Sequence, residues 1–187
     1  QPISGKTTKP SDTPSVTPPI APSVTPEPAA APAPSTNINA EQFLAMTEFP
    51  LSLQISEYFT LGQLLCGNKL AETPQASKGV LVYNLSMLAQ TVLDKIKYKY
   101  ANMKINSGYR PPPSGGNLQS QHQWGQAVDF KLLNVPVREY EACAKWVAAN
   151  CPVDQIILEA NKNTKHSVWI HVSAKTKYHK AGNPGQF

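Results

Sequence analysis

Ser120-Gln121-His122-Gln123-Trp124-Gly125-Gln126-Ala127-Val128-Asp129-Phe130-Lys131-Leu132 is the stretch whose reading decides the fold. Val128, Phe130 and Leu132 alternate with Asp129 and Lys131. Period-two alternation is the mark of a half-buried strand, apolar on one face and polar on the other. The small residues Gly125 and Ala127 just before it let the chain turn and pack closely. Two later segments repeat the pattern. In Gln155–Glu159, Ile156 and Leu158 share one face; in Val168–Ser173, Val168, Ile170 and Val172 do. The opposite faces then carry Asp129, Glu159 and His171, one ionisable residue from each segment. A fourth short strand, Lys104–Ser107, leads into the stiff turn Gly108-Tyr109-Arg110-Pro111-Pro112-Pro113.

Helical signals surround these strands. Between residues 80 and 100, Leu81, Leu85, Leu88, Val92 and Ile96 recur at spacings of three and four, a single apolar stripe. A second helix is predicted for Val137–Asn150, after Pro136, with Tyr140, Ala144 and Val147 inward. A short one holds Leu64 and Leu65. The fold class is α+β: a central antiparallel sheet with helices packed on one face and a site on the other.

The chain has 187 residues and 18 prolines, ten of them within the first 34 residues. Residues 1–40 read as a Pro/Ser/Thr/Ala-rich linker or tether, with the near-repeat Pro14–Pro18 and Pro22–Pro26. They offer almost nothing to bury. Residues 41–187 read as one domain, large enough for a real core. With no initiator Met and no signal-peptide pattern at Gln1, the chain reads as a processed product or a fragment. No apolar run approaches the roughly 18 residues of a membrane span. Cys66, Cys143 and Cys151 are odd in number and unpaired in spacing, so they read as buried small apolar groups.

The formal charge is +5. Lys6 and Lys9 cancel Asp12 and Glu27, so the excess sits on the domain. A basic domain fits an anionic partner such as a cell-wall polymer. No RNA-binding aromatic motif or helix-turn-helix accompanies the charge, so nucleic acid is not the expected partner.

His122, Asp129 and His171 are the candidate metal ligands. A catalytic zinc takes three protein ligands from imidazole and carboxylate and leaves a fourth position open. Two His and one Asp would hold other first-row ions as well. Arg110, at the end of a strand, is suited to bidentate recognition of a carboxylate. His166 and His179 lie in Lys-rich polar stretches and read as solvent-exposed. Gly115-Gly116 reads as a flexible turn, not a phosphate loop. Trp124 reads as either a pocket wall or packing beneath the metal loop.

Four motifs stand in order: Ser107-Gly108-Tyr109-Arg110, then the Ser120 to Asp129 stretch, then Glu159 at a strand end, then Trp169-Ile170-His171. Together they resemble the zinc D-Ala-D-Ala carboxypeptidase family, which shares its fold with the Hedgehog signalling domain. The resemblance covers about residues 56–175. The opening Ser56-Glu57-Tyr58-Phe59-Thr60-Leu61 resembles the phage-associated branch. It implies zinc (Zn2+) on His122, Asp129 and His171, Glu159 as general base, and Arg110 binding a substrate carboxylate. Tyr109, Ser120 and Trp169 fall among the expected substrate-binding residues. Several relatives carry an acidic residue three positions before the last His; here that position is Val168, which leaves Glu159 as the base.

The implied function is hydrolysis of peptide bonds in the peptidoglycan stem peptide, of carboxypeptidase or endopeptidase type. The implied setting is a cell-wall-degrading module of a bacteriophage virion or tail, with the Pro-rich segment meeting other tail or baseplate proteins. The alternatives are a structural tail component with a non-catalytic metal site, or a periplasmic or secreted bacterial wall-remodelling peptidase.

Overall fold

The computed structural model describes residues 38–113, 120–161 and 167–178. Four strands, β1 (Met103–Ser107), β2 (Ala127–Leu132), β3 (Gln155–Ala160) and β4 (Val168–Ser173), form one antiparallel sheet. Their order across the sheet is β1-β2-β4-β3. The helices are α1 (Leu61–Leu65), α2 (Lys78–Leu88), α3 (Asp94–Lys99) and α4 (Val137–Asn150). The α+β expectation holds. Residues 1–37, Gly115-Gly116, His166 and His179 lie outside the described residues.

One face of the sheet enters the core. Val128, Phe130, Ile170 and Val172 are fully buried and join a single apolar cluster with Leu81, Leu85, Leu88, Ile96, Cys143 and Val147 from the helices. β2 and β4 are the inner strands, covered along their whole length. β3 is an edge strand, and there the alternation is only partly realised. Ile156 packs against the core, but Leu158, expected inside, is 39% exposed.

The helical stretch expected from 80 to 100 is in fact interrupted. α2 passes into α3 through one wide π-helical turn, Ala89–Leu93, closed by Asp94 N–H donating to the Ala89 carbonyl. Leu81 to Ile96 spans fifteen residues, about half a residue more than four α-helical turns. The wide turn takes up the surplus and keeps both ends of the stripe in the core.

α2 is buried nearly all round, and its polar residues are used as ties. Ser86 Oγ donates to the Ile55 carbonyl at 2.5 Å. Asn84 Nδ2 donates to the carbonyls of Trp124 (2.8 Å) and Tyr178 (3.0 Å). Asp94, also buried, accepts from Ser56 Oγ and from the N–H groups of Glu57 and Tyr58. Burial pushes its pKa up against the pull of those three bonds. The Ser56–Tyr58 stretch is thereby fastened to the central helix.

In α4, Tyr140, Cys143 and Val147 form the inner face, with Ala144 half-buried beside them. Tyr140 Oη donates to the Leu132 carbonyl and accepts from the Leu132 N–H, locking the helix to the end of β2. Burial, with Cys151 nearby, pushes the Cys143 thiol up to about 12. Cys66 departs from the buried reading. It caps α1 in the left-handed conformation (φ 50°) and is exposed.

Gly108 is the tightest point of the fold. A Cβ there would lie 1.8 Å from the Leu64 carbonyl oxygen, which is backbone and has nowhere to go. The next residue closes the contact, Tyr109 N–H donating to that same carbonyl at 2.8 Å. Gly108→Ala is expected to destabilise the chain by about 3 kcal/mol through overpacking. Urea unfolding checks this, as a lowered midpoint at unchanged slope.

Candidate metal centre

The sheet register builds two thirds of the site. Asp129 on β2 is directly opposite His171 on β4, and His171 is opposite Ile157 on β3. Side chains opposite each other in an antiparallel pair point to the same side. Their strand neighbours Val128, Phe130, Ile170 and Val172 fill the core, so Asp129 and His171 stand together on the other face.

His122 arrives by a different route, on the 3-10 turn Gln121–Trp124. Ser120 caps that turn: its Oγ accepts from the His122 N–H, and its own N–H donates to Gln123 Oε1. Gly125 ends the turn in the left-handed region (φ 69°), where a Cβ would meet the Leu81 carbonyl of α2 at 2.7 Å. Capping, turn and close packing together fix where the imidazole goes.

The three ligand atoms form a tight triangle. His122 Nε2 lies 3.2 Å from His171 Nδ1 and 3.3 Å from Asp129 Oδ1; His171 Nδ1 lies 2.9 Å from Asp129 Oδ1. Ligand atoms about 2.0–2.1 Å from a tetrahedral zinc sit about 3.3–3.4 Å apart. The donor chemistry points the same way. His122 Nδ1 is 2.8 Å from the Gly108 carbonyl, which can only accept, so Nδ1 carries the proton. In the neutral ring the Nε2 lone pair then faces a carboxylate oxygen, two acceptors that need a cation between them, either a second proton on the ring or a metal ion. His122, Asp129 and His171 can hold a metal ion among them, as the sequence reading expected.

Outer contacts hold this triangle in place. Arg110 Nη2 donates to Asp129 Oδ2 at 3.2 Å, leaving Oδ1 for the triangle. Burial pushes the Asp129 pKa up, but hydrogen bonds and charge from His122 and His171 outweigh it. The carboxyl is held well below the usual carboxylate range. Arg110 itself is half-exposed (52%), so much of its fork remains open to the cleft.

The triangle lies at the floor of an open cleft of about 380 Å³. Glu159, Ser120, Trp169 and Arg110 all line it, as expected for site residues. Glu159 is opposite Trp169, which makes it the diagonal neighbour of His171 across β3 and β4. Two further lining residues, Gln155 and Ile157, went unnoticed in the sequence. Counting by two back from Glu159 along β3 would have found them. A larger hollow of about 630 Å³ beside Phe49, Leu51 and Leu70 contains none of these groups, so size alone does not mark the site.

Tyr109 is placed differently, and Trp124 takes the second of its two readings. Tyr109, expected at the substrate, is fully buried in the core. Its hydroxyl donates to the Ala71 carbonyl and accepts from the Ala71 N–H, on the side of the chain away from Arg110. Trp124 is packing, not wall: it is buried in the core cluster beneath the His122 turn. Val168 belongs to the core face of β4. Glu159 is the one carboxylate lining the cleft besides Asp129 among the described residues.

With this geometry in view, comparison with known proteins is decisive for the family. The family model described as Peptidase M15 matches residues 57–173, more than half of the chain. The chain belongs to that family, the zinc D-Ala-D-Ala carboxypeptidase-like metallopeptidases. No curated protein matches it.

The chain is expected to bind about one zinc ion, with His122→Ala and Asp129→Ala abolishing tight binding. Arg110→Ala removes only the outer contact and is expected to weaken zinc about tenfold or more. Competition against a chromophoric chelator at constant pH measures all three variants.

Proposed function

From this membership of the M15 metallopeptidases, we propose that the chain is a zinc-dependent peptidase that cuts peptide bonds in the peptidoglycan stem peptide. The observation that carries the reading is the His122–Asp129–His171 triangle opening into a cleft that also holds Glu159 and Arg110. A preserved but inactive metal site would need neither the carboxylate nor the half-exposed guanidinium.

Zinc, when bound, supplies a Lewis acid that acidifies water and polarises a carbonyl. The residues of the chain do the rest. Glu159 takes a proton from the attacking water and later returns it to the leaving amine. As a diagonal neighbour it stands about 7–8 Å from His171 between Cα atoms, room for a water between side chain and metal position. Arg110 keeps one N–H on Asp129 and presents the others to a substrate carboxylate, which orients the scissile bond. Ile157, opposite His171, gives the cleft an apolar floor patch between the base and the ligands.

The substrate class follows from charge as well as family. The domain carries the whole +5 excess, which concentrates it on an anionic wall polymer. We assign its setting to a bacteriophage virion or tail, where the Pro-rich segment serves as tether. That part rests on the phage-like opening Ser56–Leu61, which in this structure is bound to Asp94 of the central helix.

Purified peptidoglycan incubated with the full chain, with and without chelator, tests the proposal by mass spectrometry of the released peptides. Chelator-sensitive release of a defined fragment is expected and names the bond cut. Glu159→Gln is expected to keep its zinc and lose about a thousandfold in turnover. Parent-like activity of that variant removes Glu159 from the role of base.

A further inference from the structure

The pairing of β1 with β2 sets Lys104 directly opposite Lys131. Their neighbours in the ladder, Met103 with Leu132 and Ile105 with Phe130, turn toward the core. Both lysines therefore stand on the face that carries Asp129, two residues before Lys131. Like charges directly opposite in an antiparallel pair repel each other, so this arrangement works against the sheet. Among the described residues neither lysine pairs with a carboxylate; Lys131 Nζ donates to the Ser167 hydroxyl at 3.3 Å.

The lysines also lie in line with the cleft. The β2–β4 pairing runs as far as Phe130 with Ile170; Lys131 and Trp169 are the next residues on the two strands, and Trp169 is opposite Glu159. The Lys104–Lys131 pair on β1 and β2 and the Trp169–Glu159 pair on β4 and β3 thus both follow the row that holds Asp129, His171 and Ile157. Along β2 the two rows are about 6.6 Å apart, the rise of two strand residues. Glu159 stands two strands from Lys131, and no ion pair joins the two among the described residues.

We propose that Lys104 and Lys131 form an anion subsite that holds a second carboxylate of an acidic peptide, within one or two residues of the bond being cut. It is separate from Arg110, which reaches the metal ligands from the other end of β1. An unneutralised cation pair next to an indole, facing the open side of the sheet, fits a planar carboxylate on an extended peptide. The inference rests on the peptidase reading above and adds a substrate preference to it.

The test uses two soluble stem peptides that differ only in one group, a side-chain carboxylate near the scissile bond or its carboxamide. The parent chain is expected to prefer the free acid by about tenfold in kcat/KM, expressed in KM. Lys104→Gln/Lys131→Gln is expected to bring that preference close to one, with zinc content unchanged. Equal losses on both peptides, or no loss, overturn the subsite. Loss of binding to intact walls without loss of the peptide preference overturns it too, and assigns the lysines to wall phosphate. Titration calorimetry of the zinc-loaded chain with the same peptides reads the preference as a Kd ratio. A parent that cuts neither peptide therefore strikes the peptidase reading, while the calorimetric ratio still decides the subsite.

Discussion

The placement of Asp129 opposite His171 is the constraint on which the rest of this structure depends. A one-residue slip of β2 against β4 would turn one ligand into the core and lift a valine or isoleucine into the cleft. What forbids the slip is the core itself. Val128, Phe130, Ile170 and Val172 are all fully buried, so each alternative register exposes apolar side chains and buries charge. The third ligand is set by contact between backbones. Gly125 presses on α2, Gly108 presses on α1, and the Gly108 carbonyl accepts from His122 Nδ1. Two helices and two strands thus converge on one imidazole, and the position of the site is a consequence of how the core packs.

How much of this was legible in the sequence depended on where a residue's environment came from. β2 and β4 were readable because they are inner strands with a fully covered face; their alternation is local and complete. β3 read less well because an edge strand is covered on one flank only, and Leu158 stays exposed although its pattern is apolar. Of the candidate metal ligands, His122 and Asp129 were readable within one short turn-and-strand motif, and His171 from the alternation of a separate strand. Tyr109 was not. It adjoins Arg110 in sequence, but the chain leaves β1 with consecutive side chains on opposite sides, and only the position of Ala71 shows which side is core. The π-helical turn left a faint trace, a stripe too long by a fraction of a residue. The cap that exposes Cys66 left none, because cysteine is not among the residue types that favour the left-handed region.

The site is arranged at the expense of local stability. A carboxylate and two imidazoles gathered at hydrogen-bond distance, mostly shielded from water, gain less from one another than a well-packed apolar group would. Arg110 and the Gly108 carbonyl offset part of that cost by satisfying the outer atoms. What this arrangement secures is orientation: the outer contacts fix which way the His122 ring and the Asp129 carboxylate face.

Burial then gives the site a direction. His122 at the back is almost inaccessible (3%), Asp129 and His171 are slightly open (10% and 12%), and Arg110 at the front is half in solvent (52%). Anything that His122, Asp129 and His171 hold would therefore be reached from the cleft. Across the sheet the cations Arg110, Lys104 and Lys131 belong to the β1–β2 half, beside Asp129, and Glu159 belongs to β3. The two sets are separated by β4, which carries His171 and Trp169 between them. On the function proposed above, a peptide lying across the strands would meet cationic groups on one side of the candidate metal position and the Glu159 carboxylate on the other, so binding and proton transfer would be served by different strands.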